Sequence, residues 1–591
     1  MRSRDTIISL VCFVLAAALL TVAGMQLDYI NSQRKEMKLI TNEPLENAPP
    51  SLAFATVAMG AFRGLVVDIL WMRADNLKDQ GQFFDAKQLA EWITILQPRF
   101  ASVWEFHAWN MAYNISVALP ATEPEQRWQW VKNGYELLRD KGIPKNPKSI
   151  LLYREMARIF QHKIGAVSDD AHKYYKLQLV EAMEPLLGAA DNEYFKELAE
   201  APTHWSQIES DANFTPIIEA LKAADEAFKD NKQFVSNYLS LKQNPARFKP
   251  QAFNVRDRFR ASKALKKFDI FANAWQLRKV WKLDPVKMQW LNQHYGPIDW
   301  SEPNTHMPLD WRHPDPHAIY WAVKGLEIAG SGEFSVDEIN ADRIVNHSLQ
   351  NLFRYGKIFV YEIPAESALE SSVEPPEPTK EVFLRPDFRM FEVYNKSTLA
   401  RMEKYKDIDK KGSYESLQNG HRNMLVNAVL MFYQAGHKKQ AGKIYNDLRS
   451  LYPREEFQVP LLIFARNRFV EELRNLGIHD AKEQVIALLR ESYFMYAIRN
   501  DDESAGREKL AQEIHSYYQG KYLDENRVDL PEYKLLQYFA LLDVFNDNQI
   551  RPSLRLRLVN RIKIEKPDLY KEFEQVERTL IEKEKQSEQT E

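Results

Sequence analysis

The sequence predicts a mainly α protein: a superhelical solenoid of stacked helix pairs with one N-terminal transmembrane helix and a small irregular, β-containing insert in the middle. Three observations predict it. The composition is helix-forming and poor in glycine, with 20 Gly among 591 residues. An 18-residue pattern of glycine, small, apolar and proline positions occurs twice, far apart in the chain. At the N-terminus, an uncharged apolar run follows two arginines.

Length and charge narrow the function. At 45% hydrophobic and 12% aromatic, the chain can fill large cores, and it is too long for one globule. A net charge of −3 leaves no basic excess for nucleic acid. The phosphate-cradling G-x-x-x-x-G-K-[ST] and G-x-G-x-x-G loops are absent, as are G-x-S-x-G and H-E-x-x-H. The single cysteine, Cys12, lies inside the N-terminal apolar run, so the body has no disulfide, thiolate metal site or cysteine nucleophile. No cofactor is expected.

Taken in order, residues 1–28 read as a signal anchor. Arg2 and Arg4 precede the apolar run Ile7–Met25, which is about long enough to cross a bilayer core. Thr21-Val22-Ala23 and Val22-Ala23-Gly24 would serve as cleavage sites, but the length of the run favours retention. Arg2 and Arg4 place the N-terminus in the cytoplasm and the bulk outside, while Arg34, Lys35 and Lys38 pull the other way. Residues 29–50 form a linker. A second apolar stretch, residues 51–72, contains Arg63 and Asp68. Each costs roughly 2.5–3.5 kcal/mol near the centre of a membrane helix. The stretch therefore reads as a buried helix of the body; were it to span, the body would return to the cytoplasm.

The repeat emerges when "GQFFDAKQLAEWITILQP", residues 81–98, is laid over "GHKKQAGKIYNDLRSLYP", residues 436–453. Gly81 meets Gly436, Ala86 meets Ala441 and Pro98 meets Pro453, with Leu89/Ile444 and Ile93/Leu448 between them. Glycine lets the chain turn between two helices, the small residue lets them approach, and proline stops the second helix. This pattern resembles the second half of a tetratricopeptide repeat. The resemblance implies helix pairs at about Val67–Gln80 with Phe84–Leu96, and Arg422–Ala435 with Lys439–Leu451. Trp104 stands where the family's tryptophan falls in the next helix. Thr122 and Glu125 have the spacing of a capping box, and Asn146-Pro147 that of an N-cap and first helical residue. Residues 51–188 thus read as N-terminal repeats. Across the matched units, position 8 is Ala74, Ala108 and Val429, not the family's usual Gly or Ala throughout, and the loops after Leu119 and Lys141 exceed the ideal length.

Residues 189–290 are helical by pattern. Residues 291–335 are rich in Pro, Trp and His and hold a duplicate: Pro297-Ile298-Asp299-Trp300 and Pro308-Leu309-Asp310-Trp311. Residues 336–417 hold a helix and a candidate short hairpin, with "KIFVYEI" and "EVFLRPDFRMFEVY" flanking an acidic, proline-rich loop. C-terminal repeats fill residues 418–582, and residues 583–591 read as a charged, disordered tail.

Sites are sparse. In "HPDPH", His313, Asp315 and His317 alternate as metal ligands could, but Asp315-Pro316 also reads as an N-cap opening a helix, and no fourth ligand is evident. Glu105 and Trp109 lie on a helix that would line the groove of the repeats. Some members of the family clamp a partner's C-terminal carboxylate with Lys and Asn. Here the corresponding positions are Asp68, Trp71, Asp75, Ser102, Glu105 and Trp109, so that ligand class is not expected. The expectation is a non-catalytic scaffold that binds protein partners of a membrane-associated complex in a bacterial-type envelope. Its partner-facing candidates are Glu105, Trp109, Trp300, Trp311, His313 and His317. The alternative is an envelope enzyme, a metal-assisted hydrolase at residues 313–317 or a glycan-cleaving enzyme using Glu105.

Overall fold

The computed structural model describes residues 63–299, 302, 305–329, 335–363, 379–406, 413–473, 478–522, 530–546, 550 and 552–588, with Leu15, Thr21 and Gln26 alone upstream. The predicted anchor, the linker, residues 51–62 and Trp300 lie outside the described residues. No helix among the described residues is long and apolar enough to cross a membrane. The fold is mainly α, with 24 helices and one two-stranded sheet described.

The chain divides into two compact units: residues 1–171 with 321–341, and residues 172–320 with 342–591. The first is built on α1 (Arg63–Asp79), α2 (Phe83–Leu96), α3 (Ala101–Trp109), α4 (Pro124–Leu137) and α5 (Ile150–Arg158). The last three each run on into a wider π-helical turn, at Asn110–Ile115, Leu138–Gly142 and Ile159–Ile164. Val67, Ile93, Leu96 and Val103 form one core cluster, against which Leu70, Trp71 and Phe100 pack.

The second unit begins with α6 (His172–Leu187), α7 (Asn192–Glu200), α8 (Trp205–Glu209), α9 (Thr215–Ala224), α10 (Phe234–Gln243), α11 (Pro250–Arg258), α12 (Lys263–Gln276) and α13 (Pro285–Tyr295). Then come α14 (Pro314–Ala329), α15 (Val336–Tyr355), β1 (Lys357–Ile363), β2 (Thr379–Arg385), α16 (Phe391–Tyr405), α17 (Ser413–Gln434), α18 (Lys438–Leu451) and α19 (Leu461–Leu473). The chain ends with α20 (Ile478–Ala497), α21 (Asp501–Tyr522), α22 (Tyr533–Asn546), α23 (Pro552–Glu565) and α24 (Pro567–Glu588). By the unit division, α14 belongs to the second unit as far as Tyr320 and α15 from Asp342. The strands pair antiparallel, Lys357 opposite Arg385 and Ile363 opposite Thr379, and Ile358 and Val382 pack with Val180. Strand structure ends at Arg385, and the rest of "EVFLRPDFRMFEVY" is helical from Phe388. The last helix runs to Glu588, into the segment read as a tail; its Glu, Lys and Gln are strong helix formers.

The matched segments have matching backbones. Gly81 and Gly436 sit at φ +76° and +83°. Gly81 N–H donates to Lys78 O and Gln82 N–H to Leu77 O, as Gly436 N–H does to Tyr433 O and His437 N–H to Phe432 O. This is a glycine-closed helix end of the Schellman type. Gln82 and His437 then open the next helices at ψ 64° and 57°, and Gln97 and Tyr452 close them at φ −131° and −132°. Ala86 and Ala441 are buried. A third copy of the turn joins α20 to α21: Arg499, at φ +64°, donates to Tyr496 O, and Asn500 N–H to Met495 O. Buried Ser504 takes the small position. Arg499 and Ser504 replace Gly and Ala, so a search on those residues passes over this copy.

A Cβ at position 81 would meet nothing within 4 Å, leaving only the left-handed backbone to oppose a side chain. Gly81→Ala is therefore expected to destabilise by about 1–2 kcal/mol. Equilibrium denaturation measures it, and an unchanged midpoint would refute the turn's role.

Three predicted caps are corrected. At α4, no Thr122/Glu125 box forms; Glu123 precedes the helix and Pro124 opens it. The helix after Asn146 starts at Ile150, not at Pro147. Asn146 Nδ2 instead donates to Pro98 O and Gly142 O, both at 3.0 Å, and Trp104 Nε1 donates to the same Pro98 carbonyl at 2.8 Å. Pro98 and Trp104 thus anchor the end of α2. At α14, His313 rather than Asp315 is the cap: the helix begins at Pro314, and Asp315 N–H donates to His313 Nδ1 at 3.2 Å.

Candidate functional site

Three places hold the candidate chemistry. The first is the α3–α5 face of the first unit. Glu105 and Trp109 lie one turn apart on α3, both half-buried. Glu105 Oε1 accepts from Arg154 Nη2 at 2.5 Å, and Arg154 Nη1 donates to Asp337. Trp109 stacks on Tyr113, 5.9 Å between ring centres, and the Arg158 guanidinium lies 5.2 Å from the Tyr113 ring. Glu155 is fully buried; its Oε2 is 3.4 Å from Arg158 and its Oε1 has no hydrogen bond. Burial pushes both carboxyls, Glu105 and Glu155, above the ordinary value against the pull of Arg154 and Arg158. The result is a charged and aromatic patch whose half-exposed carboxylates, Glu105 and Asp337, are both committed to Arg154.

The second place is the His/Asp loop. Trp311, His313, Asp315 and His317 are all buried. Trp311 Nε1 donates to Asn292 Oδ1 at 3.0 Å, and His317 Nε2 to Trp311 O at 2.9 Å. Asp315 Oδ1 accepts from Asn351 Nδ2 at 3.1 Å. These side chains knit α13, α14 and α15 together and present no surface to a partner. Burial pushes His313 down to about 3 and His317 down to about 4, while it raises Asp315 to about 7. Among the described residues, no group of three His, Cys, Asp or Glu is placed to hold a metal ion.

The third place was missed in the sequence. Two clefts, of about 250 and 390 Å³, lie along α21 and share Lys509, Leu510 and Glu513. The first reaches Tyr433 and the Gly436 turn, and the second is walled by Leu462, Ile463 and Arg466 of α19 and Tyr517 of α21. Leu462 and Ile463 are 58% and 45% exposed. Their signal is the run Leu461-Leu462-Ile463-Phe464-Ala465. One helix face buries Phe464 and Ala465, leaving Leu462 and Ile463 outside the core.

The fold is that of a mainly α protein with matching turns after α1, α17 and α20. No protein family model matches the chain, and no curated protein matches it.

Proposed function

We propose that the chain is a membrane-anchored helical-repeat scaffold, of tetratricopeptide-repeat-like solenoid architecture, that binds a partner protein of an envelope complex. Its bulk lies outside the cytoplasm. The observation that carries the reading is the cleft pair along α21. Its lining combines apolar Leu462, Ile463, Leu510 and Tyr517 with charged Arg466, Lys509 and Glu513. That combination suits an amphipathic segment of another protein, with apolar anchors for affinity and charges for register. The α3–α5 patch around Trp109 is a second surface of similar character. Support for binding over catalysis comes from the carboxylates: Glu105 is held by Arg154, and Asp315 is sealed inside the protein.

A photo-cross-linker placed at Gln512 in native membranes tests this. It is expected to capture a discrete partner, and Ile463→Asp to reduce that capture about tenfold, one buried hot spot's worth. Thermal stability is expected to hold, because Ile463 is exposed. Equal capture by the variant would remove the cleft from the reading.

A further inference from the structure

The net charge of −3 conceals a local reversal. Residues 247–267 hold eight Lys and Arg against one acid, Asp257. They run from the short turn Pro245–Arg247 through α11 to the first turns of α12, and every one of the eight except Arg256 is exposed. Lys266 is paired with Glu197 at 3.7 Å, and Lys249 lies beside Asp225, which accepts its N–H at 2.8 Å. The side chains of Arg247, Arg258, Arg260, Lys263 and Lys267 make no ion pair among the described residues. The usual helix pattern is also inverted here. The first turn of α12 contains Lys263 and no acid, where an acid would suit the helix dipole. The fold therefore gathers like charges at one place without offsetting them.

We propose that this patch lies against an anionic phospholipid surface, its cations facing the lipid phosphates. Charge decides the sign of the occupant, and the placement of the side chains decides its class. The inner faces of both helices are spent, since Ala252, Val255, Leu265 and Phe268 belong to a core cluster. Phe248 and Phe259, which alternate with the cations in sequence, pack against the same cluster. Of the aromatic rings in this stretch, only Phe253 is well exposed, at 45%. A single-stranded nucleic acid would need several open rings on which its bases stack. A reader of acidic peptides gathers its guanidinium groups around one carboxylate or phosphate. Here the unpaired cations are spread over a turn and two helix ends. A lipid surface asks for neither arrangement, because its phosphates are many and the attraction grows with each basic residue. The contact is with headgroups rather than hydrocarbon, as Asp257 stands one turn from Phe253 on α11. The proposal goes beyond the scaffold reading and does not need the anchor.

The test uses the full chain with Cys12→Ser and Ala261→Cys, labelled with a fluorophore. Ala261 is exposed between Arg260 and Lys263. The chain is mixed with vesicles of phosphatidylcholine alone, or of phosphatidylcholine with phosphatidylglycerol, each carrying a quencher on the lipid headgroups. Quenching at position 261 is expected to rise severalfold with phosphatidylglycerol. It is expected to fall back in about 1 M salt, where screening acts within about 3 Å. Arg258→Glu, Arg260→Glu and Lys263→Glu together are expected to abolish the rise, since each basic residue at an anionic surface is worth roughly fivefold in binding. All three side chains are exposed, and an unchanged thermal midpoint checks folding. If the triple variant does not fold, the lipid and salt comparisons on the parent decide. Equal quenching in the two lipids would overturn the proposal, as would a rise that the folded triple variant keeps. A probe that responds to polyglutamate or to an oligonucleotide, but not to phosphatidylglycerol, would assign the patch to an acidic protein or a nucleic acid and overturn it too. Flotation with phosphatidylcholine vesicles reads the anchor separately. A chain that does not float there fails as an anchored protein, whereas the response to phosphatidylglycerol reports the patch alone.

Discussion

Asp169→Asn is expected to destabilise the first unit by about 3–5 kcal/mol, the usual consequence of breaking a buried ion pair from one side. Asp169 lies between two cations. Its Oδ1 is 3.2 Å from Arg127 Nη1 and its Oδ2 2.5 Å from Lys163 Nζ, and all three side chains are less than a tenth exposed. The carboxylate also accepts the Ala171 N–H at 2.9 Å. Arg127 comes from α4 and Lys163 from the π turn after α5, so one carboxylate ties two helices to the loop that follows them. Asparagine keeps the shape but removes the negative charge, leaving two buried cations facing each other. A surface pair gives the contrast: Lys229–Glu226 is mostly exposed, and Lys229→Ala is expected to change stability by less than about 1 kcal/mol.

The same triad sets an acid limit. Burial raises the Asp169 carboxyl, but Lys163, the Ala171 N–H and Arg127 together outweigh it, and the folded pKa lies below the ordinary value of 3.8. A carboxylate depressed by folding stabilises above its unfolded pKa and loses that contribution as pH falls through the folded one. Asp169 therefore contributes in full at neutral pH and fails only below about pH 4. Hydrogen exchange of the peptides spanning 124–171 measures the loss locally. A change of less than about 1 kcal/mol in Asp169→Asn would show that the two cations are solvated or paired elsewhere.

How much of this was legible in the sequence depends on whether the cause is local. The turns at Gly81 and Gly436 were readable because a left-handed residue closing a helix is a local demand that glycine meets. Arg499 meets it with strain, so the third copy left no glycine to find. The π turns were not readable, since a one-residue widening is decided by how Tyr113, Phe160 and their neighbours pack rather than by any residue type. Asn146 illustrates a cap signal overridden by tertiary structure: its amide is spent on Pro98 O, 48 positions upstream. Glu105 and Trp109 share one half-buried face of α3 because residues four apart in a helix lie one above the other, and that periodicity can be read from sequence. Trp311, His313 and His317 drew attention by composition, yet composition cannot tell a surface site from a buried polar network. The α21 cleft escaped for the opposite reason, because Leu462 and Leu510 are ordinary residues that only the fold brings together.

Asp315→Asn is expected to stabilise the chain at pH 8 and to lose that advantage in acid. Burial raises the Asp315 carboxyl to about 7, against the hydrogen bonds of Ser348 and Asn351 and the charge of Lys176, so the folded protein binds its neutral form best. An acid raised by folding weakens the fold progressively as pH climbs from the unfolded value of 3.8 to the folded one. At about 1.4 kcal/mol per pH unit, the charged carboxylate costs on the order of 4 kcal/mol at pH 8. Asparagine is neutral at every pH and retains an oxygen for Asn351. The histidines act in the other direction. His313 and His317, driven down by burial, stay neutral in the fold while their unfolded forms take up protons below 6.5. Between about pH 4 and 6.5 the unfolded chain thus binds two protons at the histidines and the folded one holds one at Asp315. In the parent these three groups give a net acid-limb slope of about one proton; in Asp315→Asn the slope doubles to about two. Thermal midpoints of parent and variant from pH 4 to 8 measure both effects. The curves are expected to converge near pH 4 and to separate steadily as pH rises. A variant less stable than the parent at pH 8 would mean that Asp315 is held as a carboxylate, with Lys176 as its counter-charge in the core.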